Sequence, residues 1–236
     1  MLFRFKQFTI QQNVNSQKVG TDSMLLGAWT GGDFATILDI GTGTGILALM
    51  LAQQNPAAHI TAIEPDADSL AEARLNFENS PFKNRITGVQ SALQEFQTPQ
   101  KFELIISNPP YFENSTLSTD SAKNRARHTH ELPVNALYER TVELLAAHGK
   151  FTLIFPSEME QMHLTEAAKQ KLFPQKILRT VREDGVFKRT LISFGFDALK
   201  PVEEILLVKF SDNTYSPAYI SMTKEFYATD LSAKKN

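Results

Sequence analysis

The chain of 236 residues contains no cysteine. This absence excludes disulfides, thiolate nucleophiles, iron–sulfur clusters and cysteine-based zinc sites, and with them the enzymes that attack a pyrimidine ring through a cysteine. A chain without disulfides suits a reducing compartment, so we expect a cytoplasmic protein. The sequence also has no apolar run long enough to span a membrane and no charged-then-apolar signal pattern at its N-terminus.

The sequence also has no large excess of positive or negative charge. The 24 Lys and Arg residues nearly balance the 26 Asp and Glu residues, and the sequence pI is about 6.2. A nucleic-acid partner would therefore have to bind a local basic surface. The compact cluster of Lys123, Arg125 and Arg127 is our candidate RNA-binding segment, whereas the dispersed cations between 169 and 189 are interpreted as a solvated face. His128 and His130 have no partner ligands, so we predict no metal site.

Strand-like and helix-like patterns alternate along most of the chain. Repeated βα units predict an α/β, Rossmann-like fold with a mostly parallel sheet and helices on both faces. A hairpin near the end of the core, predicted at the sheet edge, would place an antiparallel strand near the C-terminal edge. The predicted strands are 36–40, 59–64, 85–90, 102–107 and 150–155, with a helix over 133–147 and a hairpin from 176–182 and 190–196.

The length of the chain predicts one domain over 1–236, because it is too short for two full α/β domains. We expect an N-terminal extension at 1–35, a Rossmann-like core at 36–200, and a C-terminal strand and helix at 201–236.

A glycine turn follows the first core strand, with Gly41, Gly43 and Gly45 in the spacing Gly-x-Gly-x-Gly. Such a turn lets the backbone approach a nucleotide-like cofactor closely, and the next helix directs free N–H groups toward it. The spacing departs from the Gly-x-Gly-x-x-Gly of dinucleotide enzymes, which disfavours a nicotinamide cofactor without excluding it. The phosphate loop of an ATPase is absent.

Two acids accompany the glycine turn. Glu64 closes the second strand, where an acid accepts ribose hydroxyls from adenosine-containing cofactors; the alternative is a helix-capping or surface acid. Asp39 stands just before the first glycine, and it either reaches the far end of the cofactor or braces the turn.

A second motif, Asn108-Pro109-Pro110-Tyr111, follows the apolar strand at 102–107. The exocyclic amine of adenine is a poor nucleophile, because its lone pair is delocalised into the ring. Two acceptors that bind its two hydrogens would favour tetrahedral geometry, and the Asn108 side chain and the Pro109 carbonyl suit that role, held by the stiff Pro-Pro turn. Tyr111 would stack on the planar target. The alternative is that this motif is only a turn.

With both motifs in this order, the chain resembles class I S-adenosylmethionine-dependent methyltransferases that modify amino groups. More closely, it is similar to bacterial tRNA adenine-N6 methyltransferases that act on adenine-37 of a valine tRNA. The resemblance includes Phe5-Lys6-Gln7-Phe8, Lys18-Val19-Gly20-Thr21-Asp22, Leu25-Leu26-Gly27-Ala28-Trp29, the glycine turn with Leu47-Ala48-Leu49-Met50-Leu51-Ala52, Leu104-Ile105-Ile106-Ser107 with the second motif, Ala126-Arg127, Tyr215-Ser216 with Ala218-Tyr219, and Phe226-Tyr227.

The resemblance implies S-adenosylmethionine as cofactor, tRNA near its anticodon as substrate, and cofactor contacts from Thr21 and Glu64 as well as the three glycines. It implies base contacts from Asn108, Pro109 and Tyr111. Relatives commonly place an Asp after the third strand to bind the cofactor's adenine, and here Ala92 stands at that position. Adenine recognition would then depend on main-chain groups or on Ser91.

Other functions share these motifs. Release-factor glutamine methyltransferases carry a helical substrate domain before the glycine turn, for which 35 residues leave no room. Guanine-N2 rRNA methyltransferases and DNA adenine methyltransferases are separated less well, although no target-recognition domain is evident. A catalytically idle RNA-binding protein of the same fold is disfavoured by the intact motifs, while Ala92 leaves some support for it.

Overall fold

The computed structural model describes residues 1–13, 19–109 and 132–232, with ten strands and six α-helices in these ranges. The strands are β1 (Leu2–Arg4), β2 (Thr9–Gln11), β3 (Thr36–Ile40), β4 (His59–Glu64), β5 (Ile86–Gln90), β6 (Phe102–Ser107), β7 (Leu145–Pro156), β8 (Phe173–Val181), β9 (Phe187–Gly195) and β10 (Val202–Leu207). The helices are α1 (Thr21–Trp29), α2 (Ile46–Gln54), α3 (Ala67–Glu78), α4 (Val134–Leu144), α5 (Glu160–Lys169) and α6 (Pro217–Thr223).

Eight strands form one sheet in the order β10-β8-β9-β7-β6-β3-β4-β5, and β1 pairs with β2 in a separate hairpin. Strand β9 runs antiparallel to β7 and β8, while the other neighbouring pairs are parallel. The predicted fold class is therefore confirmed: the sheet is mostly parallel, and its antiparallel strand lies toward the C-terminal edge.

Helices cover both faces of the sheet. Consecutive residues of the central strands point to opposite faces, so each of these strands contributes apolar side chains to two separate cores. Ile37 packs in a core with α1, α2 and α3, whereas the next residue, Leu38, packs in a core with α4 and α5. Leu104 and Ile105 divide between the two cores in the same way. Strands β3 and β6 are therefore mostly apolar in sequence, as expected for strands that are buried on both faces.

Local sequence determines where several helices begin. The side chain of Asp66 accepts a hydrogen bond of 2.8 Å from the Ser69 amide and caps α3. Ser216 caps α6 through the Tyr219 amide, and Pro217 occupies the first turn, where its missing N–H costs nothing.

Two sequence predictions were wrong in detail. The helix predicted over 133–147 ends at Leu144, because Leu145 pairs with Phe102 and extends β7 in spite of the helix-favouring Ala146 and Ala147. The β8–β9 hairpin does not form the sheet edge, since β10 pairs with β8 outside it. Strand β10 carries exposed acidic and apolar residues that do not alternate regularly, so its sequence pattern does not indicate an edge strand.

Candidate active site

A small cleft, partly open to solvent, lies at the carboxyl ends of β3 and β6. The chain continues from β3 to β4 on one side, while β6 pairs with β3 on the other, so this is the switch point at which open α/β sheets bind ligands. The lining residues are Ser23, Gly41, Thr42, Gly43, Thr44, Ile46, Leu47 and Asn108. The structure therefore brings the two sequence motifs to one site and adds the first turn of α1.

The glycine turn needs glycine for its backbone conformation. Gly41, Gly43 and Gly45 have φ of 70°, 55° and 83°, in the left-handed region that side chains disfavour. A Cβ on Gly41 or Gly43 would project into open space, whereas a Cβ on Gly45 would collide with the ring of Phe77. The first two glycines thus leave room for a ligand above the turn, and the third permits close packing of α2 against α3.

Glu64 lies at the end of β4 and is bonded to this turn. Its Oε2 accepts a hydrogen bond of 3.0 Å from the Gly43 amide, and its Oε1 accepts one of 3.2 Å from the Asp66 amide. The predicted ribose role stays a prediction, and the geometry shows that Glu64 also helps to shape the turn.

Asp39 is fully buried beneath the turn rather than in the cleft lining. Its Oδ2 accepts a hydrogen bond of 2.6 Å from the Thr42 hydroxyl. Burial raises the pKa of Asp39 to about 7, although hydrogen bonds from Thr42 and the Ala48 backbone oppose the shift. Of the two roles that the sequence leaves open, this geometry favours bracing of the turn.

The Asn108 side chain faces α1 across the cleft. Its Nδ2 donates a hydrogen bond of 3.1 Å to Oγ of Ser23, and the preceding Ser107 hydroxyl donates one of 3.1 Å to the Ile40 carbonyl. Pro109 follows and is half-buried, whereas Pro110 and Tyr111 lie outside the described residues. Thr21 opens α1, two residues before Ser23, and so stands at the same end of the site.

Ser91 follows β5 and lies beside the end of β4, because its amide donates a hydrogen bond of 3.2 Å to the Glu64 carbonyl. Its hydroxyl donates to the carbonyl of Ala92, at 2.9 Å. Ser91 is thus near the ribose-binding candidate but is not among the residues that line the cleft.

The RNA-binding candidates Lys123, Arg125 and Arg127 lie outside the described residues. In the second basic segment, several cations are paired with acids, and the Arg179 and Arg189 side chains are partly buried in their pairs, which does not fit a fully solvated face. These pairs are Lys169–Glu166, Arg179–Glu160, Arg182–Asp184 and Arg189–Asp22. Among the described residues, no group of three His, Asp or Glu side chains is placed to hold a metal ion. In that same part of the chain, no helix is both long and apolar enough to cross a bilayer.

Sequence reasoning missed two residues that support the site. Asn76 of α3 exchanges hydrogen bonds with the Gln11 backbone and also donates to the Thr44 carbonyl, so it connects the N-terminal hairpin to the glycine turn. Ser23 lines the cleft and bonds Asn108. Neither belongs to a recognisable motif, because each acts through contacts between segments far apart in sequence.

Comparison with known proteins identifies the family. The model described as "Methyltransferase small domain" matches residues 11–169. A tRNA1(Val) (adenine(37)-N6)-methyltransferase from Bacteroides thetaiotaomicron is 40% identical over 228 residues, which cover 95% of this chain and 96% of the relative. The chain belongs to the tRNA1(Val) (adenine(37)-N6)-methyltransferase family.

Further relatives support the assignment to these methyltransferases. The protein of the same name from Tolumonas auensis is 41% identical over 228 residues, covering 95% of this chain and 96% of that relative. Among solved structures, a predicted O-methyltransferase from Agrobacterium tumefaciens has a TM-score of 0.67 at 17% identity, covering 89% of this chain and 98% of that one. At this identity, the structural likeness shows the fold alone.

The methyltransferase uses S-adenosylmethionine as its cofactor. The residues present fit this group, because Gly41 and Gly43 leave open space above a left-handed turn and the Glu64 carboxylate is bonded to the Gly43 amide of that turn. No phosphate has to be bound, which agrees with a glycine turn that carries no lysine.

Replacement of Glu64 by glutamine should weaken cofactor binding in this methyltransferase. Glu64→Gln keeps the shape of the side chain but removes the charge, and hydrogen bonds to charged acceptors are about twice as strong as neutral ones. We expect the dissociation constant for S-adenosylmethionine to rise about 10-fold in calorimetry.

The matched control is Glu95→Gln, the same change at an exposed position outside the cleft. Equal affinities in Glu64→Gln, Glu95→Gln and wild type would remove Glu64 from the cofactor site.

Proposed function

We propose that the protein transfers a methyl group from S-adenosylmethionine to the N6 amine of adenine-37 in tRNA1(Val), near the anticodon. The observation that carries this proposal is the cleft that joins the glycine turn to Asn108, in a chain about 40% identical to named enzymes of this activity over 95% of its length. We further propose that the chain folds as one domain. We also propose that it works in the cytoplasm, a location that the absence of cysteine supports.

The chemistry requires an amine and a methyl donor in line. When bound, S-adenosylmethionine supplies a methyl group that a positively charged sulfur activates. The N6 lone pair would form the new N–C bond as the bonding pair of the S–C bond is left on sulfur, and the nitrogen would then lose a proton to solvent. Since the nitrogen becomes cationic before it loses that proton, no general base with a strongly raised pKa is needed.

The role of the protein is to hold the amine in a reactive geometry. The Asn108 side-chain carbonyl and the Pro109 main-chain carbonyl would accept the two N6 hydrogens and favour a tetrahedral nitrogen. Both residues follow β6 directly, and Ser107 anchors that strand end to Ile40. The acceptors therefore lie at an anchored strand end beside the glycine turn, where they would hold the amine close to a bound cofactor.

The test is incubation of the protein with S-adenosylmethionine and unmodified total tRNA, followed by digestion to nucleosides and mass spectrometry. We expect N6-methyladenosine to accumulate in the tRNA1(Val) isoacceptor. Methylation of rRNA, DNA or a protein amide instead of tRNA would overturn the substrate. Cofactor binding with no methyl transfer to any of these would favour a catalytically idle RNA-binding protein.

A further inference from the structure

A serine from a distant segment holds the amide of Asn108. Ser23 lies in the first turn of α1, and its Oγ accepts the 3.1 Å hydrogen bond from Asn108 Nδ2. Both residues line the cleft and are half-buried. The oxygen and the NH2 group of an amide lie on opposite branches, so a bond from the NH2 branch to α1 directs the carbonyl branch away from α1.

Tertiary contacts hold the first turn of α1 in place. Gly20 is the N-cap of this helix and offers no side chain to cap it. Instead, Arg189 of β9 donates a hydrogen bond of 2.7 Å from Nε to Oδ2 of Asp22, the residue beside Ser23. Met24 and Leu25, which follow, are buried in the core. The serine hydroxyl is therefore presented from a fixed backbone.

We propose that Ser23 is a positioning residue for methyl transfer, because it holds the Asn108 amide in the orientation that accepts a hydrogen of the target amine. This inference rests on the proposed function. The terminal torsion of an asparagine side chain is broad and has no sharp staggered minima. Without the serine hydroxyl, the amide spends less time in the productive orientation, and turnover falls in proportion.

The kinetic test compares Ser23→Ala, which removes the hydroxyl, with Ser23→Thr, which retains one. For Ser23→Ala we expect kcat to fall about 10-fold, the effect of one lost hydrogen bond, with the dissociation constant for S-adenosylmethionine changed less than about twofold. Ser23→Thr should recover most of the lost kcat. The exposed Ser221 on α6 provides the control, since Ser221→Ala should match wild type.

A second measurement does not depend on activity. The side-chain NH2 signals of Asn108, assigned by their loss in Asn108→Ala, should shift in Ser23→Ala and stay close to wild type in Ser23→Thr. Unshifted signals in Ser23→Ala would overturn the positioning role, whatever the activity assay gives. Shifted signals with unchanged kcat in an active enzyme would overturn it too.

The two proposals fail separately. A loss in Ser23→Ala that appears only as a higher KM for tRNA would make Ser23 a binding residue and reject the positioning role. A wild-type protein that forms no N6-methyladenosine in tRNA rejects the proposed function, while the Asn108 signals still decide whether Ser23 holds the amide.

Discussion

Asn108→Ala should lower kcat for tRNA methylation by about 100-fold or more while the cofactor still binds. The alanine removes the acceptor that draws the amine toward tetrahedral geometry, and the loss of one preorganised polar group at a reacting centre costs a factor of this size. The cofactor affinity should change less than about threefold, because the substitution leaves in place the glycine turn and the hydrogen bond of its Gly43 amide to Glu64. Rapid-quench kinetics with saturating tRNA and calorimetry with S-adenosylmethionine measure the two quantities.

Two further variants make this result specific. Asn108→Asp keeps an acceptor oxygen and should retain more activity than Asn108→Ala. Asn135→Ala makes the same truncation at an exposed position on α4 and should match wild type. If Asn108→Ala keeps more than a third of the wild-type kcat, the amine-binding role of Asn108 is wrong.

The sequence was sufficient to predict the central strands of the sheet, although not its edge at β10, because its strongest signals are local. Strands β3 and β6 are mostly apolar runs buried on both faces, and the glycine turn and the Asn108 motif follow them directly. Carboxyl ends of neighbouring parallel strands meet at one edge, so the order of strands and motifs along the chain is enough to place the two motifs together.

The supporting contacts could not be predicted in the same way. Ser23 bonds Asn108 across 85 positions of sequence, and Arg189 bonds Asp22 across 167. No periodicity or spacing records such contacts, because they depend on how helices pack against the sheet. For the same reason, the sequence left Asp39 with two possible roles, since a buried acid and a ligand-binding acid look identical in sequence.

Asp39→Asn should make the protein more stable than wild type by an amount that grows as pH rises toward 7. Burial is the largest cause of the raised pKa, from 3.8 to about 7, and the charge of Glu64 adds to it while hydrogen bonds from Thr42 and Ala48 oppose it. Between these two values the folded protein retains a proton that the unfolded chain has released. Wild-type stability therefore falls with rising pH in this window and levels off above pH 7.

Asparagine at position 39 cannot lose a proton in this way, and its side-chain oxygen can still accept the hydrogen bond from Thr42. The difference in unfolding free energy between Asp39→Asn and wild type should grow by roughly 1.4 kcal/mol per pH unit up to about pH 7. Urea unfolding at pH 5, 6, 7 and 8 measures this difference. Asp33→Asn, at an exposed position, should show no such trend.

The same variant decides between the two roles of Asp39. A brace beneath the turn tolerates asparagine, so the dissociation constant for S-adenosylmethionine should change less than about threefold. A direct contact with the cationic amino group of the cofactor would instead be lost with the charge, and affinity would fall 10-fold or more. Because Asp39 is fully buried and bonds Thr42, which lines the cleft in its place, we expect the first result, with the stability gain.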